Sequence, residues 1–327
     1  MDKFISKISL YLTAIILAVA GIYLFIFTSD VECQGSGVVI IPSGSSVSDV
    51  ANVLVESGCV ENKGKFKLAM RMSFRDRKLM PGRYNLDEVT KMGQLVMKLT
   101  SPSNHFIEVT VVEGTEMADI ASQMNRDMGL DYDLFMDLCK NNDYISSLGI
   151  EAPTLEGYLY PDTYRFLDIY TEKDVIGIMV GEFHKKIKEL GADLDGYTVN
   201  EVVTLASIIQ GEAQIIDEMP MISSVYTNRL RFKRKLEADP TVQYVVPGPN
   251  RRLLYEDLKI DHPYNTYKYK GLPPGAINSP GIDALKSAVN PAKSDYLYFV
   301  ADGSGGHIFS KTNKEHVRAV QRVRRKK

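Results

Sequence analysis

Residues 39–51 read VIIPSGSSVSDVA, and residues 109–121, offset by 70, read VTVVEGTEMADIA. The two copies agree at Val39/Val109, Ile41/Val111, Gly44/Gly114, Ser45/Thr115, Asp49/Asp119, Val50/Ile120 and Ala51/Ala121. Each copy carries the same physical instructions. An alternating apolar strand runs into a turn glycine, a Ser or Thr caps a helix, and the helix carries an apolar stripe. Strand and helix in close alternation around short turns predict an α+β fold, repeated at least once in the chain.

Upstream of the first copy, Ile8 to Phe27 reads ISLYLTAIILAVAGIYLFIF, twenty residues without a charge. A helix of that length covers the roughly 30 Å hydrocarbon core at about 1.5 Å per residue. Lys3 and Lys7 precede the run, whereas Asp30 and Glu32 follow it and the next lysine is Lys63. The positive-inside rule then puts residues 1–7 in the cytoplasm and the rest of the chain outside it. Ala18-Val19-Ala20 resembles a signal cleavage site, but it lies mid-run, and cutting there leaves GIYLFIF exposed. The expected topology is a retained single-pass anchor (8–27) in the cell, or inner, membrane, with a linker (28–37) that includes Gly35-Ser36-Gly37.

The 327 residues carry a net charge of −2, which argues against a protein that coats nucleic acid. Three cysteines (Cys33, Cys59, Cys139) and five scattered histidines lack metal-ligand spacing. Whether Cys59 and Cys139 pair is not readable from their spacing. Downstream, helices are expected over Phe66–Met72, Met92–Leu99, Phe135–Leu148 (one or two), Thr171–Leu190, much of Asn200–Phe232, and Ile282–Val289. Strands are expected after the Pro81–Tyr84 turn and over Tyr296–Ala301, and a terminal basic helix closes the chain. Gly191–Gly196 reads as a loop, and the change of character at LEGYLYPDTYRF (Leu155 to Phe166) puts a domain boundary near residue 150. The expected organisation is therefore 38–150, an N-terminal region with the repeat, and 151–327, a mixed α+β catalytic domain.

Nucleotide-binding glycine patterns, G-x-S-x-G and H-E-x-x-H are absent, which leaves carboxylates as candidate catalysts. In TLASIIQGEA (Thr204 to Ala213), Leu205, Ile208 and Ile209 lie seven, four and three residues before Glu212. On a helix they share its face, so Glu212 sits beside an apolar stripe, loses hydration, and gains a pKa suited to giving and taking a proton. Gly211 beside it would let a ligand approach the backbone closely. The bland account of Glu212 is a helix-end carboxylate paired with Arg229. Glu156 and Asp162 flank Tyr158, Tyr160 and Tyr164, which reads equally as a sugar-binding groove or as an aromatic core strand with a proline turn. Asp239, followed by a proline, is expected in an extended or turn position, pairing with Arg229 or Arg231 or serving the site. Tyr264–Tyr267 and the GLPPGAI run (Gly271 to Ile277) read as a stiff, polar-aromatic groove wall.

The strand–Gly–Ser/Thr–helix opening resembles the LysM module, a small glycan-binding unit. The stretches LEGYLYPDTYRF, TLASIIQGEA followed by SSVYTNRL, LEADPTVQY, and Tyr264 through Ser310 are similar to the endolytic murein transglycosylase (YceG-like) family. The resemblance implies a membrane-anchored enzyme that cuts peptidoglycan glycan strands at the N-acetylmuramic acid–β-1,4–N-acetylglucosamine bond and leaves a 1,6-anhydro end. It maps the catalytic glutamate onto Glu212. Many members have a second glutamate two residues earlier, where this chain has Gln210. It further implies no metal or nucleotide cofactor, glycan strands as the ligand, and peptidoglycan synthases as neighbours. Glu156, Tyr160, Asp239, Asn265 and Tyr267 are the residues expected to hold the glycan.

Overall fold

The computed structural model describes residues 2–33, 37–102, 105–191, 194, 196–248 and 251–325, with side chains from residue 7 onward. The expected link at Gly35-Ser36 and three positions of the expected 191–196 loop lie outside the described residues. The chain folds into two compact units, Met1–Ile107 with Arg165–Tyr170, and Glu108–Tyr164 with Thr171–Lys327. One copy of the repeat lies in each of them. The expected boundary near residue 150 falls within the second unit.

In the first unit, α1 (Asp2–Phe27) contains the apolar run, and Lys7–Phe27 is long and apolar enough to cross a membrane. Its last turn leaves the exposed run and enters the unit's core through Ile26 and Phe27. Strand β1 (Val38–Ile41) then buries Val39 and Ile41 on one face, as a period-2 pattern requires. Helix α2 (Val47–Glu56) starts at a capping box in which Ser46 and Asp49 satisfy each other's backbone N–H groups. The cap falls on Ser46, one residue after the Ser45 that the repeat aligns. Helix α3 (Lys63–Met72) follows, then β2 (Gly82–Asn85), antiparallel to β1 from Val38↔Asn85 to Ile41↔Gly82, and α4 (Met92–Leu99). The core joins Val39, Leu54, Phe66, Met70, Tyr84 and Leu95. A Cys33–Cys59 disulfide ties the segment after α1 to the end of α2, while Cys139 is free and buried.

The second copy gives β3 (Phe106–Thr110) and α5 (Met117–Met128), followed by α6 (Tyr132–Lys140), α7 (Asn142–Ser147) and β4 (Thr163–Leu167), which pairs with β3. Here the expected Ser/Thr cap fails. The Thr115 hydroxyl donates to a nearby carbonyl, Val112 O, and Glu116 at the cap position makes no side-chain bond. The acceptor for the first helical N–H comes from Glu156 instead, 39 residues away, at 2.9 Å from Met117 N.

The helical remainder consists of α8 (Glu172–Glu189), α9 (Val199–Glu212), α10 (Met219–Arg231), α11 (Asp239–Gln243), α12 (Ile282–Val289), the antiparallel hairpin β5 (Tyr298–Ala301) and β6 (His307–Ser310), and α13 (Asn313–Arg324). Thr171 with Asp174 and Thr198 with Glu201 box the starts of α8 and α9. Helix α9 is the unit's axis. Every residue from Val202 to Ile209 is buried, because α10, α11 and α12 all pack on it. A one-faced stripe was the expectation, and an all-round buried helix is the observation, including Thr204 and Ser207. The buried Ser207 hydroxyl accepts the Ile277 N–H at 3.1 Å, which ties the proline-rich run to α9.

The tyrosine cluster resolves to core. Tyr158, Tyr160 and Tyr164 are buried, with Tyr158 donating to Asn200 Oδ1 and Tyr164 to Tyr160 O. Gly157 inside it has φ +85°, and a Cβ there would lie 2.5 Å from Ala276 Cβ and 2.8 Å from Val203 Cγ1. Neither neighbour can rotate away. Gly157→Ala is expected to destabilise this unit by roughly 2–4 kcal/mol, read from the denaturant midpoint. A loss below about 0.5 kcal/mol would refute this packing account.

Candidate active site

Glu212 is the last residue of α9, where the buried helix emerges, and its side chain is partly exposed. Loss of hydration pushes its carboxyl up to about 7; the Tyr226 hydrogen bond works against that rise and the nearby Asp239 carboxylate adds to it. Tyr226, on the neighbouring α10, donates its hydroxyl to Glu212 Oε1 at 2.7 Å. Burial and the Glu212 charge hold the Tyr226 phenol well above its ordinary range, so it stays a donor. One carboxyl oxygen is thereby fixed and the other is left for proton transfer.

Two clefts of the second unit share Glu212 and Asp239. One, of about 570 Å³, is walled by Tyr226, Tyr267, Tyr298, Phe299, His307 and His316. The other, of about 480 Å³, is walled by Glu113, Glu116, Gln243, Tyr244, Arg252 and Asn278. The first half is aromatic and the second is charged and amide-rich, and Glu212 stands where they join.

Of the residues singled out in the sequence, the structure brings Glu212, Asp239 and Tyr267 together. Asp239 accepts the Tyr267 hydroxyl at 2.6 Å. It opens α11, with Pro240 in the first turn, so the expected extended or turn position is refined to a helix start. Neither Arg229 nor Arg231 pairs with Asp239, and Glu212 does not pair with Arg229. Arg229 is buried and binds Glu237 at 2.8 Å along with three backbone carbonyls. Gly211 does admit a close approach, but from the chain itself: a Cβ there would meet Pro240 Cβ at 2.9 Å. The glycine lets α11 lie against α9, which sets Asp239 beside Glu212.

The other three expected glycan contacts lie elsewhere. Glu156 is 3% exposed and lines neither cleft. Its carboxyl takes the Met117 N–H and, at 3.3 Å, the Tyr244 hydroxyl, and burial pushes it up to about 8. Asn265 is fully buried, donating to Leu258 O and Ile260 O and accepting the Tyr267 N–H, so it sets the loop that carries Tyr267. Tyr160 is buried with Lys186 over its ring. Gln210, two residues before Glu212, accepts the Gly281 N–H at 3.1 Å and so pins a cleft-side loop.

Sequence reading missed Tyr226, His307 and the contribution of α13. Nothing in periodicity marks Tyr226, which is found only by packing α10 on α9, although it lies in a stretch that carries the family resemblance. His307 is held by Glu218, through Nδ1 at 2.7 Å and its backbone N at 3.1 Å, which fixes the β5–β6 hairpin as a wall. Asp302–Gly306, a Gly-rich turn, joins the two strands of that hairpin.

A family model described as YceG-like matches residues 39–322. The chain belongs to the YceG-like family. A Bacillus subtilis relative named endolytic murein transglycosylase is 33% identical over 86% of this chain and 83% of its own length. A Streptococcus pneumoniae protein of the same name is 29% identical over 84% of this chain and 56% of its own length. A solved YceG-like structure from Listeria monocytogenes aligns with a TM-score of 0.60 at 31% identity, over 86% of this YceG-like chain and 98% of that one.

Proposed function

We propose that this chain is an endolytic peptidoglycan lytic transglycosylase, cutting the N-acetylmuramic acid–β-1,4–N-acetylglucosamine bond within nascent glycan strands. The observation that carries this reading is the Glu212 carboxyl, pushed up to about 7 by burial and held by Tyr226 where two clefts meet. A strand threaded through both clefts meets Glu212 mid-length, so no chain end is needed. Glu212 protonates the leaving glycosidic oxygen as the C1–O4 bond breaks. It then takes the proton of the muramyl C6 hydroxyl as that oxygen closes on C1. No water is consumed, and the carboxyl ends protonated as it began. The aromatic wall gives the sugars apolar surface, with Asp239 and Tyr267 as hydroxyl partners. Glu156, Tyr160 and Asn265 act behind the groove wall.

Asp239 at the same junction supports a second reading, a hydrolytic muramidase in which Asp239 activates water. Mass spectrometry of products from purified glycan strands separates the two. Anhydro ends support the transglycosylase, reducing ends the muramidase, and intact strands leave a glycan-binding scaffold. Tyr226→Phe removes the bond that lowers the Glu212 pKa, so the alkaline limb of kcat/KM should move to higher pH. An unmoved or acid-shifted limb would count against Tyr226 as the group that poises Glu212.

For the remainder of the chain, α1 is read as a retained anchor in the cell membrane with its N-terminus in the cytoplasm. The Cys33–Cys59 disulfide supports an exported, oxidising location for the chain beyond α1. The β1-α2-α3-β2 order around the repeat supports a LysM-like, glycan-holding role for Val38–Asn85. The second copy is assigned to the catalytic unit. Peptidoglycan synthases are the expected neighbours, since nascent strands emerge beside them.

A further inference from the structure

The first unit is not joined to α1 by a free tether. Ile26 and Phe27 lie in its core, Val31 N–H bonds to Thr90 O, Met92 N–H bonds to Ser29 O, and Lys91 pairs with Asp30 at 2.6 Å. The Cys33–Cys59 disulfide adds a covalent tie. A helix whose apolar run ends at Phe27 therefore carries this unit against the headgroup layer. Helix α3 packs on α1 through its buried face, Phe66, Ala69 and Met70.

What α3 and its following turn present outward is strongly basic. Lys63, Lys65, Lys67, Arg71, Arg77 and Lys78 are all exposed, and among the described residues none of them forms an ion pair. Between residues 63 and 78 the sole acid is Asp76. Phe74 sits in the same turn, 86% exposed and at φ +54°. An aromatic side chain held out in water by a left-handed backbone, amid cations and beside a span, matches the pattern of an interfacial anchor.

We propose that α3 and the turn after it form a bilayer-docking face that takes the phosphates of anionic lipids, with Phe74 entering the interface. It rests on reading Lys7–Phe27 as a span. Each cation close to an anionic surface contributes enough to change the docked population about fivefold. Docking would hold the unit at one height above the bilayer, which suits an enzyme that meets its strands as they leave the membrane.

The chain has no tryptophan, so Phe74→Trp gives a single reporter at an exposed position. The full chain carrying F74W is reconstituted into nanodiscs of phosphatidylcholine alone or with phosphatidylglycerol, with and without acyl-chain bromination. The expected result is blue-shifted emission quenched by brominated lipid in the anionic discs. Adding Lys65→Gln, Lys67→Gln and Arg71→Gln should lower the docked population about 100-fold and restore water-like emission. Water-like emission in both discs overturns the proposal. So does quenching that is equal in neutral discs or indifferent to the three Gln substitutions. A chain that fails to enter discs overturns the span itself, a distinguishable failure.

Discussion

Glu212→Gln is expected to lower glycan cleavage by about 10³-fold while leaving the strand bound. Glutamine keeps the volume and still accepts from Tyr226 at the position of Oε1, so the local packing survives. What it lacks is a proton to give to the leaving oxygen and a carboxylate to take one back. Both half-steps fail together, which is why the effect should fall on kcat and leave binding near its wild-type value. Product quantitation over time, with a parallel binding measurement on the same strands, tests it. Full activity in the variant would end the assignment of Glu212, and lost binding with unchanged kcat would move it to a holding role.

The second large effect concerns Glu156 and stability. Burial raises its carboxyl from 4.5 to about 8 in the folded chain. Between those values the native state keeps a proton that the unfolded chain has released, so stability falls as pH rises from about 4.5 to 8 and then levels. At 1.36 kcal/mol per unit, that window is worth on the order of 5 kcal/mol. Glu156→Gln cannot titrate, yet its carbonyl oxygen still accepts the Met117 N–H while its amide N–H can donate to the Tyr244 oxygen. The variant's unfolding free energy should lose this downward slope and exceed the wild type's at pH 8 relative to pH 5. Parallel wild-type and variant curves across that range would show that Glu156 does not carry the slope. Tyr244 lines the charged cleft, so Glu156→Ala should also raise KM by releasing it.

How much of this was legible beforehand is clearest at particular residues. Met92–Leu99 and Ile282–Val289 appear with the expected ends, because their apolar spacing is local. Glu212 was legible for the same reason, since its apolar neighbours sit three, four and seven residues away on one helix. Asp239 and Tyr267 could be flagged by type and by resemblance. That they share a hydrogen bond, beside Glu212, depends on Gly211 admitting Pro240. Glu156 stayed open between groove and core because a carboxyl among tyrosines looks alike whether the rings face a sugar or a core. Only its burial and its bond to Met117 N–H distinguish the two.

By itself the chain determined the membrane-length helix, the repeated strand-to-helix opening, the α+β class, and a carboxylate beside the apolar stripe at the end of a helix. These come from charge, periodicity and turn residues, all of which act over a few positions. Tertiary structure alone decided where the two copies belong, which cysteines pair, that Tyr226 holds Glu212, and that Glu156 caps α5 from 39 residues away. Each of these is a contact between segments whose spacing in sequence carries no information about distance. Hydration, too, is lost only when the distant elements close over a carboxyl, and it is that loss which sets Glu212 near 7 and Glu156 near 8.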